Sequence, residues 1–481
     1  MASFFIIGEQ KVRPGVYYRY ENRGNPPIAG ADDGRCAAVF NSNWGPLGVP
    51  SVIENFTDIE KIYGDGGTDG TTALPIEQFK GGARSVTALR LGSGGTQGVY
   101  QIMDTDEPAA PVAKLTLLHP GSKQFSITIR PTLVDPKRTE LLILDGTTTM
   151  ERFSFDTPTG ADQVAALMGA VAGSRFFTLE KLADSTEPLE VVDQAPITPG
   201  TDPVINVAAY SAAFEALEAF RWNVLAIDTD DTAVQMVMQM YLNRVLNGGK
   251  FVMGVIGVPN TVAFEERLQN ASAYNDYQMV YVGNGFIDLM GTVYGDWKAA
   301  ARVSGMIAGT PSNEAITHLP VTGAVDLTEP LGNYQYERAI QAGMLTFSTS
   351  AANTVWVESG INTLVLPGSK EDDGWKKIKR VKVRFELFQR LNDTVEPLVG
   401  RINNDPDGRM TIIQLGNGVC NAMVAEKKLL TGARCELDPD NPPQGDSAWF
   451  QVYADDIDAL EKLYFAFKFR FAPDSSETGG A

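Results

Sequence analysis

The chain has 481 residues, 43% hydrophobic and 21% charged, a globular balance long enough for roughly three domains, which excludes wholesale disorder. Lys and Arg number 40 against 59 Asp and Glu, a formal net charge of −19. That surplus argues against nucleic acid and anionic lipid as partners, because both repel an acidic surface. Cys36, Cys420 and Cys435 show neither disulfide nor metal spacing, and are expected as small apolar fillers in a reducing compartment. Met1–Gly8 lacks the basic start and long apolar run of a secretory signal. No run of about 18 apolar residues occurs, so the expectation is a chain folded in cytosol without membrane insertion.

In chain order, the Pro14-Gly15 turn precedes Val16, Tyr18 and Tyr20, which alternate with Tyr17, Arg19 and Glu21; this period of two predicts a strand. Asn22 to Gly34 is rich in Gly, Pro, Asn and Asp and reads as a tether. An apolar segment, Cys36 to Phe40, follows. A helix carrying Ile76 and Phe79 ends at Gly81-Gly82, and a strand runs from Ser85 to Leu91. Gly92 to Gly98 misses the dinucleotide spacing and opens no helix, so a flexible linker is expected. From about residue 96 to 200 the texture is β, clearest at Leu115–Leu118, Gln124–Arg130 and Glu140–Leu144, with one helix at Ala161–Ala172.

From residue 205 strands and helices alternate. Trp222–Ile227 reads as a strand, and Val234, Val237, Met238, Tyr241, Leu242 and Val245 share one helix face. Strands at Phe251–Val258 and Gln278–Val282 flank a helix at Ala263–Asn270. Strands spaced by single helices imply a parallel sheet. Asp296 is the expected N-cap of a helix over Trp297–Ala308. Near the end, Ile378–Leu387 reads as a strand, with helical stretches around Val395–Ile402 and Gly418–Leu430 and a strand near Trp449–Tyr453.

The residue types of catalysis are sparse. The two histidines, His119 and His318, lie in Pro-flanked segments, and neither a Gly-x-Ser-x-Gly elbow nor a phosphate loop occurs. Asp228-Thr-Asp-Asp231 follows a strand, where open α/β sheets bind ligands and carboxylates hold Mg²⁺. Capping of the next helix is the plainer reading. Asn403 to Gly408 has the oxygen spacing of a calcium loop, but Gln414 stands where a bidentate carboxylate is required, and a Pro-Asp-Gly turn suffices. No catalytic, metal or cofactor residue is assigned.

The signal lies elsewhere. Phe465, Phe467, Phe469 and Phe471 fall on one side of a terminal strand that includes Tyr464; such a strand is either covered or invites edge pairing. Both chain ends thus have the form of arms that add to a neighbour's sheet. The segment from Trp375 to Arg390 carries seven basic residues and one acid. Read as a strand, it puts Val381, Val383, Phe385 and Leu387 on one face and mainly basic residues on the other. Lys376, Lys377, Lys379, Arg380, Lys382 and Arg384 form a candidate electropositive strip facing an acidic partner or a neighbouring subunit.

Five segments, in this order and spacing, resemble the tail sheath proteins of contractile phage tails, especially those of myophages and defective prophages of Gram-positive bacteria. They are Arg13-Pro-Gly-Val-Tyr17, Gln78 to Leu91, Glu358 to Val365, Val399 to Arg409 and Asp458 to Phe465. Ser359 and Pro406 depart from the pattern at two loops. The resemblance covers nearly the whole chain and implies a non-enzymatic subunit of hexameric rings stacked as a helical sheath around a tail tube protein. Baseplate and tail terminator proteins are the implied further partners. The setting is a virion tail, or a phage-derived bacteriocin or injection particle, assembled in the host cytoplasm.

The fold expectation is mixed α/β and α+β. An α/β core (25–95 with 200–365) carries a β-rich inserted outer domain (96–199), and a C-terminal tube-proximal α+β domain (366–460) is completed by strands exchanged between subunits. The resemblance makes residues 1–24 and 461–481 the donated arms, with Val12, Val16, Tyr18 and Tyr20 at one end and Tyr464, Phe465, Phe467, Phe469 and Phe471 at the other. A metal- or nucleotide-dependent enzyme built on the αβ repeat around Asp228 is the competing reading.

Overall fold

The computed structural model describes residues 34–470 apart from 107, 136, 158–161 and 370, together with the backbone of 3–4 and 17–18. Ser3–Phe4 and Tyr17–Tyr18 pair as two short parallel strands. The expected donor side chains Val12, Val16, Tyr18 and Tyr20, and Phe471 at the other end, lie outside what is described. The other described residues form two units, one of residues 34–385 and 457–470, the other of residues 386–456.

The larger unit is organised by a seven-stranded sheet. Its order is Met344–Leu345, Met279–Val282, Met253–Gly257, Val224–Ile227, Arg35–Phe40, Ser85–Arg90, Ser51–Ile53. All neighbours are parallel except the last, antiparallel pair. Alternate residues of each strand enter opposite cores. Cys36, Ala38 and Phe40 pack with Val224, Val255 and Val280 on one face. Ala37, Val39, Leu225 and Ile256 pack with the 207–217 and 232–247 helices on the other. Burial on both faces is why these strands read as continuous apolar runs.

The Ala73–Gly81 and Asp296–Gly309 helices cross unusually closely. A Cβ at Gly305 would stand 2.1 Å from the Gln78 carbonyl oxygen, and one at Gly309 2.3 Å from that of Gly82. Helix propensity alone favours Ala over Gly by about 1 kcal/mol, but a clash with fixed backbone costs about 1–3 kcal/mol or more. Gly305→Ala is therefore expected to lower the urea midpoint. Gly169→Ala, in the Gln163–Val171 helix with nothing within 4 Å, is expected to raise it.

Residues 97–196 form two antiparallel sheets around one core. The four-stranded sheet runs Thr148–Asp156, Arg138–Asp145, Ser126–Pro131, Val192–Pro196, and the three-stranded one Phe177–Lys181, Pro111–Pro120, Gln97–Met103. The stretch expected as a flexible linker is instead half of a ladder. Ser93 exchanges both backbone hydrogen bonds with Val204, Thr96 with Thr201, and Val99 with Thr198, at 2.9–3.2 Å. Outgoing and returning chains satisfy each other's backbone, which a single strand of glycines cannot do.

Below the ladder, the buried Arg90 guanidinium donates to the carbonyls of Ser42 (2.7 Å), Gly45 (2.8 Å) and Pro120 (2.8 Å). Trp44 packs against Phe125 and His119, with ring centroids 4.8 and 5.1 Å away. The joint is cross-linked.

In the smaller unit the second half of the Ile378–Val395 helix is followed by a 3₁₀ turn at Glu396–Leu398 and the Pro406–Ala425 helix, then an antiparallel pair, Arg434–Leu437 with Phe450–Tyr453. The expected strand at Ile378–Leu387 is thus corrected to helix. The Pro-Asp-Gly turn is corrected too: Asp405 caps the second helix by accepting from Gly408 N–H at 2.7 Å, with Pro406 at the first helical position. Asp296 begins the 296–309 helix and Gly295 is its cap.

Candidate assembly site

Parallel doubly wound sheets bind ligands where strand order reverses. Here that point lies between the carboxyl ends of Arg35–Phe40 and Val224–Ile227, beside Asp228, and it is filled. One Asp228 oxygen accepts from Asn41 N–H (2.9 Å) and the Thr71 hydroxyl (2.5 Å), the other from the Tyr210 hydroxyl (2.6 Å). Burial pushes the Asp228 carboxyl above its ordinary range, against the pull of those donors. Asp231, not Asp228, caps the following helix, accepting from Ala233 N–H at 2.8 Å. Among the described residues no group of three or more His, Cys, Asp or Glu is placed to hold a metal ion.

The three cysteines are buried and unpaired, and burial pushes their thiols upward. His119 belongs to the Trp44 joint, where burial and Arg90 lower its pKa. His318 stacks on Trp356 at 4.2 Å. No described helix is long and apolar enough to cross a membrane.

The basic strip is largely committed within the chain. As a helix, it puts Lys382 Nζ within 2.6 Å of the Ile307 carbonyl and against that of Thr310, at the end of the 296–309 helix, where a cation meets the negative end of the dipole. Arg384 reaches Asp372 at 3.0 and 3.1 Å, and Lys376 reaches Asp373 at 2.9 Å. Lys379 is buried, and Arg380 lies close to Gly374. Lys377 takes two carboxylates of the C-terminal segment, Asp458 and Glu461. The six residues do not line up as one face of a strand.

That C-terminal segment stands out. Tyr464, Phe465, Phe467 and Phe469 are 75–93% exposed, and residues 457–470 pair with no strand among the described residues. Phe467 and Phe469 stack at 6.2 Å, as alternate residues of an extended chain do. The smaller unit, by itself, has a short open sheet. Its pair of four-residue strands has no third strand among the described residues, and Val452 and Tyr453 are exposed. A two-stranded sheet is marginal by itself.

Sequence reasoning missed an ionic cluster in the smaller unit, since its members lie far apart in the chain. Arg390 grips Glu426 through two bonds (2.8 and 2.7 Å), and Lys428 bridges Glu426 and Glu386, both at 2.7 Å. The Arg390 and Lys428 hydrogen bonds hold the Glu426 carboxyl down at about 2, against 4.5 ordinarily. A carboxylate so depressed stabilises the fold above its unfolded pKa, and that contribution fades as pH falls from about 4.5 towards 2. Discounted for the carboxylate's partial exposure, it amounts to about 1–2 kcal/mol. Glu426→Gln is expected to flatten this part of the acid-unfolding profile, followed by circular dichroism.

Comparison with known proteins agrees with this architecture. Residues 204–363 match the family model of the phage tail sheath protein central domain. The phage-like element PBSX protein XkdK of Bacillus subtilis (strain 168) is 24% identical over 408 residues, 82% of each chain. The solved sheath tail protein of Desulfitobacterium hafniense superposes with a TM-score of 0.69 at 20% identity, covering 92% of this chain and all of that one. The helical sheath of the anti-feeding prophage in its contracted state gives 0.55 at 11% identity, covering 96% and 99%. Residues 204–363 are thus similar to the phage tail sheath central domain, and the chain as a whole has the fold of the solved sheath tail proteins.

Proposed function

We propose that this chain is the structural, non-enzymatic subunit of a contractile sheath, polymerising as stacked hexameric rings around a tail tube between baseplate and terminator proteins. The observation that carries the reading is the 457–470 segment, fixed to its own unit at the root and exposing four aromatic side chains beyond it. Residues 461–481 add to the open hairpin of a neighbour's 366–460 domain, and residues 1–24 add from the other end. Residues 25–95 with 200–365 form the core, and 96–199 the outer domain. Contraction shifts whole subunits to new contacts while the arms keep them linked, driving the tube through the host envelope. The particle is a virion tail or a phage-derived injection device.

Negative-stain electron microscopy of the concentrated protein, with and without a tail tube protein from the same source, tests this. Hollow tubes or stacked rings are the expected result. Persistent monomer under both conditions overturns the reading.

A further inference from the structure

The exposed aromatic run has a built root. The chain passes out of the smaller unit after Asp456 and enters the larger one at Ile457. Lys377 Nζ lies 2.8 Å from Asp458 Oδ2 and 2.8 Å from Glu461 Oε2, and the Thr317 hydroxyl donates to Glu461 Oε1 at 2.8 Å.

The socket is itself held firmly. Thr317 Oγ1 accepts from Gly360 N–H at 2.9 Å. The neighbouring Asn362 and Ile378 amides donate to the Lys376 and Gly360 carbonyls at 3.1 and 3.0 Å, stitching 360–362 to 376–378. His318, beside Thr317, is in the left-handed region at φ 58° and stacked on Trp356; for a residue with a side chain that backbone persists only where its surroundings enforce it. From Lys462, next after Glu461, every described residue to Arg470 is exposed.

We infer that Lys377, supported by Thr317, is the positioning residue of the C-terminal segment: it fixes where and in which direction the segment leaves the subunit before a second copy of the chain takes up the aromatic run. This rests on the reading that residues 461–481 are donated. An arm free from Asp456 onward loses the freedom of its first several residues on docking, whereas one pinned at Asp458 and Glu461 has lost it already. Lys377 is only 30% exposed, so salt screens its pairs less than pairs on the open surface.

The test compares Lys377→Met, Lys377→Arg and deletion of 461–481 in the full-length chain. Spin labels at Ala352→Cys and Ala466→Cys report the direction of the segment in the monomer by pulsed EPR; the native cysteines are buried. The expected result is a narrow distance distribution in the parent and in Lys377→Arg and a broad one in Lys377→Met. The critical concentration for assembly should rise about 5–10-fold in Lys377→Met, return to within about twofold of the parent in Lys377→Arg, and leave the melting temperature unmoved. A distribution that stays narrow in Lys377→Met overturns the inference, as does a broad one with unchanged assembly. If the deletion assembles as the full chain does, the donated-arm reading has failed and the inference with it. A deletion that blocks assembly beside an inert Lys377→Met sinks the inference alone.

Discussion

Deletion of residues 461–481 is expected to leave a folded chain that stays monomeric at concentrations where the full-length protein forms tubes. The side chains removed from the described part of the segment contribute little to either core, since Tyr464, Phe465, Phe467 and Phe469 are 75–93% exposed. Thermal unfolding should therefore shift little. In a docked strand the three rings of one face, Phe465, Phe467 and Phe469, become buried, at about 1.5–3 kcal/mol each before ordering costs, and main-chain hydrogen bonds to a hairpin edge add register. Loss of several kcal/mol per contact raises the critical concentration by orders of magnitude. Deletion of residues 1–21 is expected to act alike, and sedimentation velocity with electron microscopy reads both. Tubes formed by either truncation refute the arm reading for that end.

The largest single-residue cost is expected at Glu77. Arg302 Nε lies 2.9 Å from Glu77 Oε2, Arg302 Nη1 donates to the Thr322 carbonyl at 2.5 Å, and both side chains are less than 5% exposed. The guanidinium also lies over the Phe286 ring, 5.2 Å from its centroid. Glu77→Ala leaves Arg302 charged in a dry site between the two closely crossing helices, and a buried pair broken from one side costs about 3–5 kcal/mol. Replacing both partners, Glu77→Met with Arg302→Met, removes the stranded charge and is expected to recover most of the loss. Urea denaturation of the three variants decides it; a double variant no better than the single one refutes the account.

The doubly wound core was legible because its strands and helices keep distinct periods. The Val234 to Val245 spacing matches the Thr232–Asn247 helix, and the apolar runs at 224–227, 253–257 and 279–282 match buried parallel strands. The basic segment was misread for a physical reason. In a helix, Val381 and Phe385 share one face, and Val383 and Leu387 fall on nearly the opposite one; all four are buried. A helix buried on two sides imitates the period of a strand. Its lysines looked like a surface because their partners, among them the 307 and 310 carbonyls and Asp458, lie some 70–80 residues away in sequence.

The Gly92–Gly98 stretch failed similarly, since its ladder partner at 198–204 follows a hundred residues of intervening chain. Asp405-Pro406 did carry a helix-start signal, masked by its likeness to a turn. The aromatic C-terminal run needed no partner to be seen, and the structure adds that its rings are uncovered.

The borders of the seven-stranded sheet bear on how such a chain avoids precipitating. A β-sheet border offers its main-chain groups to any passing strand, and a subunit kept at high concentration would clump through it. Here one border strand, Ser51–Ile53, has three residues and the other, Met344–Leu345, has two, too short to template a mate. The open hairpin of the smaller unit has four-residue strands and is the better template. The seven-stranded sheet is thereby closed to edge pairing by the shortness of its own borders, and association is left to other surfaces of the molecule.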